Sequence, residues 1–199
     1  MYSEVGQDIF AQQNANNKSY IEIGAQDPYK LSNTYLLEKN GWKGFSIEID
    51  SLYKDKWLSS DRSNNLLIED ALTLNYNEQI NYHGLSNRIG YLSVDINPPD
   101  ATFEVLKKVI QSGIRFDCIT FEHDDYRYDK KFENIAKEFL LEYHYITAVN
   151  NVYTIRKARP FPGARKKILK KQHFETWFVD KSLYTGTIEY DDWRKQNII

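Results

Sequence analysis

Short apolar runs alternate along the chain with stretches whose apolar residues recur at helical spacing. Residues 19–24 (SYIEIG), 44–49 (GFSIEI), 66–69 (LLIE), 90–96 (GYLSVDI) and 116–121 (FDCITF) predict five strands. Residues 33–40 (NTYLLEKN) predict a short helix that Gly41 stops. Phe103, Leu106, Val109 and Ile110 mark one face of a second helix, within 100–112. Phe132, Ile135, Ala136, Phe139, Leu140 and Tyr143 mark a third, within 130–143. Residues 145–149 and 152–156 predict two last strands, joined by a tight turn at Asn150 and Asn151. Strands alternating with helices imply βαβ units, a mostly parallel seven-stranded sheet and an antiparallel hairpin at its C-terminal edge.

Length and composition narrow the class. A chain of 199 residues matches one α/β domain with a full hydrophobic core. Residues 1–157 carry the alternating pattern, and 158–199 form a basic loop and an aromatic extension expected to pack on the same domain. Twenty-six Lys and Arg oppose 28 Asp and Glu, so no global field draws nucleic acid or an anionic membrane. The single cysteine, Cys118, excludes an internal disulfide and a cysteine-based zinc cluster, and reads as a small core residue. No run reaches the ~18 apolar residues of a membrane span, and the first residues lack a signal-peptide pattern. The expectation is a soluble, cytoplasmic protein.

In open α/β sheets, ligands sit beyond the carboxyl ends of the strands, near the point where strand order reverses. Those ends carry Gly24-Ala25-Gln26-Asp27, Glu48-Ile49-Asp50, Asp70-Ala71, Asp95 and Glu122-His123-Asp124-Asp125. Gly24 stands without the other glycines of the dinucleotide fingerprint, which argues against a nicotinamide or flavin enzyme. An ionised carboxylate accepts two hydrogen bonds from a ribose diol, which makes Glu48 a candidate for that contact. Acids after strands also cap the helices that follow. Their recurrence at successive ends is what points to a shared site.

Five stretches carry a resemblance: YSEVGQDIFA, YIEIGAQDPYKLSNTYLLEKNGWKGFSIEID, YLSVDINPP, FDCITFEHDDY and FETWFVDKSL. Together they span most of residues 2–183, and in them the chain resembles class I S-adenosylmethionine-dependent methyltransferases and, within these, the FkbM-like family. The resemblance implies a Rossmann-like α/β sandwich and S-adenosylmethionine as cofactor. It implies that Glu22, Gly24 and Ala25 form the first methyl-donor motif, with Gln26, Ser32 and Asn33 near the amino and carboxylate groups of the cofactor's methionine part. Glu48 then takes the ribose, Ile49 lies against the adenine, and Asp70 takes the adenine amino group with Ala71 beside it. Gln7 and Asp8 either close over the cofactor or cap an N-terminal helix.

Related metal-dependent sugar O-methyltransferases place an aspartate after the fourth strand and an acidic pair after the fifth. Here the corresponding residues are Asp95, His123 and Asp124, so one carboxylate is replaced by imidazole. A divalent ion (Mg or Mn) lowers the pKa of a bound hydroxyl and orients it. On this expectation Asp95 and Asp124 are metal ligands, and His123 is a third ligand or, with Asp95, the catalytic base. The bland alternative is a histidine bonded within its own loop with no metal.

The implied activity is methyl transfer to a hydroxyl of a sugar, glycan or small molecule. A rival comes from Asn97-Pro98-Pro99-Asp100, since amine methyltransferases carry N-P-P and an aromatic at this point; Asp100 departs from that pattern. The plain alternative is a proline-stiffened helix start. Residues 156–171 hold eight Lys or Arg among sixteen, which suits a phosphate-bearing partner such as nucleic acid, or a solvated basic face. A second rival is a non-catalytic binding module on the same fold. His83, His144 and His173 read as surface or packed residues. Phe174 to Val179 is too aromatic for a free tail, while Tyr190 and Trp193 pack on the domain, cover the site or meet a second subunit of a homo-oligomer.

Overall fold

The computed structural model describes residues 2–62, 65–158, 168–183 and 186–197. In chain order the elements are α1 (Gln7–Asn14), β1 (Ser19–Ile23), α2 (Tyr35–Lys39), β2 (Lys43–Glu48), α3 (Lys54–Leu58) and β3 (Leu66–Ile68). These are followed by α4 (Tyr76–Tyr82), β4 (Arg88–Val94), α5 (Pro99–Gln111), β5 (Arg115–Glu122), α6 (Asp125–Tyr128) and α7 (Lys131–Glu142). The chain then forms β6 (Tyr145–Ala158), β7 (Ile168–Asp180), β8 (Ile188–Glu189) and α8 (Tyr190–Asn197).

One sheet holds all eight strands in the order β3-β2-β1-β4-β5-β7-β6-β8. Only β7 runs against the others, pairing antiparallel with both β5 and β6. Strand order reverses between β1, which pairs with β2, and β4. Helices cover both faces. Val105, Leu106 and Val109 of α5 and Ala136 and Leu140 of α7 bury Ile21, Phe45, Val94 and Phe121 on one face. Phe10 of α1, Leu37 of α2 and Trp193 of α8 bury Tyr20, Tyr91, Cys118 and Trp177 on the other. Strands covered on both faces need apolar residues at nearly every position, which is why they appear as short continuous runs.

The sheet has eight strands where seven were expected. The two C-terminal strands expected at 145–149 and 152–156 are one strand, β6. Asn150 and Asn151 form an irregularity in it, with Asn151 at φ 55°. Asparagine tolerates the left-handed region, so one dipeptide suits a hairpin turn and a bulge alike. The antiparallel partner of β6 is β7, which carries the aromatic run from Phe174 inside the sheet. Residues 159–167 of the basic segment lie outside the described residues. Tyr190 and Trp193 pack on the domain, where both contact Trp177 and the Tyr190 hydroxyl donates to the Val5 carbonyl at 2.6 Å. Among the described residues no helix is long and apolar enough to cross a membrane.

A buried arginine ties down the loop after β1. The Arg62 side chain is 1% exposed and lies 3.6 Å from Glu22 and 2.8 Å from Glu38. It also donates to Ser32 Oγ, Thr34 Oγ1 and the Pro28 carbonyl, and stacks on Trp57. Removing one partner of a buried ion pair typically costs about 3–5 kcal/mol. Arg62→Met is therefore expected to lose stability of that order in urea unfolding, and an unchanged midpoint would contradict it.

Candidate functional site

Two adjoining cavities of about 430 and 360 Å³ open at the carboxyl ends of the strands. Both are walled by Gly24, Gln26, Tyr53, Asp95 and Asn97, so they meet where β1 and β4 diverge. Gly24 sits at φ +87°, and a Cβ there would lie 1.7 Å from the Asp95 carbonyl oxygen. Only glycine permits this approach, which brings the two strand ends against each other.

The larger cavity is lined by Glu48, Ile49, Asp70, Ala71 and Ile96. Glu48 is buried, and each of its oxygens accepts a backbone N–H, from Gln26 at 2.9 Å and from Asp50 at 2.8 Å. These bonds fix the carboxylate and leave lone pairs on both oxygens for a ligand. Asp70 accepts from the Leu72 N–H at 2.8 Å. Ile49 is 69% exposed, as a side chain waiting at a cavity rim would be.

The smaller cavity is lined by Glu22, Ala25, Asn33 and Glu122, and is closed by Glu4 and Gln7 from the N-terminal strap and by Arg156 and Phe174. Asn33 donates to Ser93 Oγ at 2.9 Å, while its buried Oδ1 has no partner. Two expectations change here. Glu22 reaches the wall, but its oxygens already accept from Asn33 N–H, Thr34 Oγ1 and Ser46 Oγ beside Arg62, so it positions the loop. Ser32 faces Arg62, accepts from the Thr34 and Tyr35 N–H groups at the start of α2, and lines neither cavity. Asp8 likewise holds the N-terminal strap, accepting from Ser3 and the Tyr2 N–H, while Gln7 faces the cavity.

The expected trio Asp95, His123 and Asp124 does not assemble. Val94 pairs with Phe121, so Asp95 continues beside Glu122, and Glu122 in turn pairs with Glu175 on β7. Three acids thus stand in a row across neighbouring strand ends. Asp95 and Glu122 are hydrogen-bonded to each other, and among the described residues none of the three forms an ion pair. Burial, with repulsion from Asp124, Glu4 and Glu48, holds Asp95 above the usual carboxylate range against its hydrogen bond to Glu122, while burial, that same bond and repulsion from Asp95, Glu175 and Asp124 hold Glu122 far above it. Burial, with repulsion from Asp95, pushes Glu175 up to about 8 against the Gln7 amide that donates to it at 2.9 Å.

His123 lies away from both cavities and is 1% exposed. Its ring contacts Thr176 and Asp125, and Asp124 pairs with Arg127 at 3.3 Å. The strand alternation explains the difference. Side chains of neighbouring strand residues point to opposite faces, so only one of Glu122 and His123 can stand beside Asp95. Glu122 is the residue of that strand end that lines the smaller cavity. Glu175 lies in the FETW stretch, but its place beside Glu122 depends on β7 lying next to β5.

No family model and no curated protein sequence matches the chain. Solved structures do. M. capricolum TrmK in complex with S-adenosyl-homocysteine aligns with a TM-score of 0.57 at 12% identity, over 100% of this chain and 84% of that one. A Thermoplasma acidophilum protein aligns at 0.53 and 13% identity, over 88% and 85%. Precorrin-6y C5,15-methyltransferase from Geobacter metallireducens aligns at 0.50 and 12%, over 86% and 85%. The chain therefore has the Rossmann-like fold of class I S-adenosylmethionine-dependent methyltransferases.

The raised Glu175 carboxyl gives a pH prediction. Below its ordinary value of 4.5 the group is protonated folded and unfolded, and above about 8 it is ionised in both. Between these values the folded chain binds the extra proton, so this group's contribution to stability falls as pH rises. Glu175→Gln is expected to remove that part of the slope, so the melting temperature of the variant gains on wild type from pH 4.5 to 8. A gap between the two that stays constant with pH would refute the assignment.

Proposed function

We propose that the chain is an S-adenosylmethionine-dependent methyltransferase that methylates a hydroxyl of a sugar or glycan, as its FkbM-like stretches suggest. The observation that carries the reading is the approach of Gly24 to the Asp95 carbonyl, with the braced Glu48 carboxylate beside it at the strand-order reversal. The residues present suit the cofactor. Glu48 offers acceptors to a ribose diol, Asp70 an acceptor to the adenine amino group, and Ile49, Ala71 and Ile96 an apolar slot for the ring. The backbone of Gly24, Ala25 and Gln26 and the free Oδ1 of Asn33 suit the methionine part.

Bound S-adenosylmethionine supplies a methyl group on positively charged sulfur. The chain's own task is then to orient an acceptor hydroxyl and take its proton. Asp95, at the junction of the cavities, is the carboxylate placed to accept that proton, and Glu122, which keeps its own proton, donates a hydrogen bond to Asp95 and holds it there. This reading gives His123 no role in the transfer and routes no step through a divalent ion, because among the described residues the ligand-type atoms of His123 cluster with Asp125 and Glu133 and not with Asp95 and Asp124. Asn97 on the wall of both cavities favours a second reading, transfer to an amine, in which its side-chain oxygen accepts from the target nitrogen.

Three measurements test this. S-adenosylhomocysteine at about 100 times its Kd is expected to add roughly 2.7 kcal/mol to unfolding; no shift at millimolar ligand would withdraw the methyl-transfer reading. Glu48→Ala is expected to weaken that binding by about 1–3 kcal/mol. Labelled methyl transfer, screened on sugars, oligonucleotides and peptides, then separates hydroxyl from amine acceptors, with Asp95→Asn expected inactive but still binding the cofactor product.

A further inference from the structure

The loop after β5 holds a cluster outside both cavities. Ligand-type atoms of His123, Asp125 and Glu133 all lie within 4.8 Å of one another. They come from the end of β5, the start of α6 and the first turn of α7, so the cluster joins three elements that the sequence brings together only through the fold. The Asp125 and Glu133 side chains are 6% and 3% exposed.

The backbone contact favours the imidazole tautomer with an unprotonated Nδ1. The Asp125 N–H donates to His123 Nδ1 at 3.3 Å, so Nδ1 carries a lone pair. Nε2 lies 3.1 Å from Thr176 Oγ1, which donates to Glu133 Oε1 at 3.3 Å and so is free to accept from Nε2. Asp125 Oδ1 lies 3.0 Å from Nδ1, yet it is buried with no hydrogen-bond donor of its own. With Nδ1 unprotonated two lone-pair atoms face each other at close range, beside the second buried carboxylate, Glu133, to which Asp125 is also hydrogen-bonded. Such a contact requires a positive charge between them. Lys137 does not supply it: its ammonium lies on Glu133 Oε1 at 2.5 Å and on Asn150 Oδ1 at 2.9 Å.

We propose that His123, Asp125 and Glu133 form a binding site for one first-row divalent metal ion, of the Mn²⁺ or Zn²⁺ type, which fastens the loop after β5 to α7. One imidazole nitrogen with two carboxylates selects these ions over Mg²⁺ and Ca²⁺, which prefer oxygen alone. The Thr176 hydroxyl fixes the ring from its other nitrogen, the usual arrangement for a ligating histidine. Thr176 is one residue from Glu175, and His123 one residue from Glu122. The ion would thus hold the wall of the smaller cavity without entering it.

The test needs neither the cofactor nor an acceptor. Chelator-treated full-length chain is titrated with Mn²⁺, followed by electron paramagnetic resonance of the free ion, and with Zn²⁺ by calorimetry. Saturation at one ion per chain is expected. Asp125→Asn and Glu133→Gln should each weaken it about tenfold or more, removal of a ligand exceeding the effect of an outer-shell change. Circular dichroism checks that each variant folds, and Glu133→Gln decides if Asp125→Asn does not. No saturable uptake by wild type would overturn the proposal and leave a shared proton as the charge between Asp125 and His123. Unchanged affinity in the folded variants would also overturn it, as would loss of uptake in Asp95→Asn alone, which would move the ion to the cavity acids. Binding of S-adenosylhomocysteine is measured separately, so either reading can fail without the other.

Discussion

The contact of Gly24 with the Asp95 carbonyl is the constraint on which the cavities depend. β1 and β4 run parallel as direct neighbours, yet their connections leave in opposite directions, which opens a crevice at their ends. The crevice exposes backbone to a ligand only because no side chain fills it at Gly24. Glu48 then closes the arrangement from β2, since its bond to the Gln26 N–H holds the turn that Gly24 begins. Backbone approach and carboxylate placement are therefore one structural event.

Charge is distributed unequally between the two ends of the sheet. Near the start of β5, the buried Asp117 accepts from Arg88 at 2.6 Å and from the Asn16 N–H at 2.7 Å. Asp180 beside it pairs with Arg88 and Arg115, and the Ser182 N–H together with Arg115 keeps its carboxyl down at about 2, against the opposing effect of burial. At the carboxyl ends, Asp95, Glu122 and Glu175 lack such partners among the described residues, and their protons are held tightly. Buried acids are ordinarily paired. Leaving three unpaired at the rim of a cavity destabilises the fold locally, and perturbed carboxyls in a cleft are a mark of functional sites. Arg62 offsets the effect one layer back, where it neutralises Glu22 and Glu38 and keeps the loop after β1 rigid.

Much of the fold was legible in the chain. The first five strands, α2, α5 and α7 follow from runs and spacings that depend on local geometry alone, and Gly41 ends α2 at φ +81° as expected. The residues of the larger cavity were equally legible, because Gly24, Glu48, Ile49, Asp70 and Ala71 each lie at or just past the carboxyl end of a strand. The C-terminal half was harder. Asn150 and Asn151 fit two backbone solutions, and only the length of β7 opposite them selects the bulge. Ser32 and Glu22 were placed near the ligand by position along the chain, yet Arg62, thirty or more residues later, claims their polar atoms.

The sequence by itself determined the class of fold and the residues that line the larger cavity, because hydrophobic period and strand-end chemistry are properties of neighbouring residues. Only the tertiary structure decided which residues line the smaller cavity. That choice rests on the register of β4, β5 and β7, and a shift of one residue exchanges Glu122 for His123 at the cavity wall. It also sends His123 to Asp125 and Glu133, a meeting that no local pattern encodes because it joins a strand end to a helix through a turn with left-handed residues.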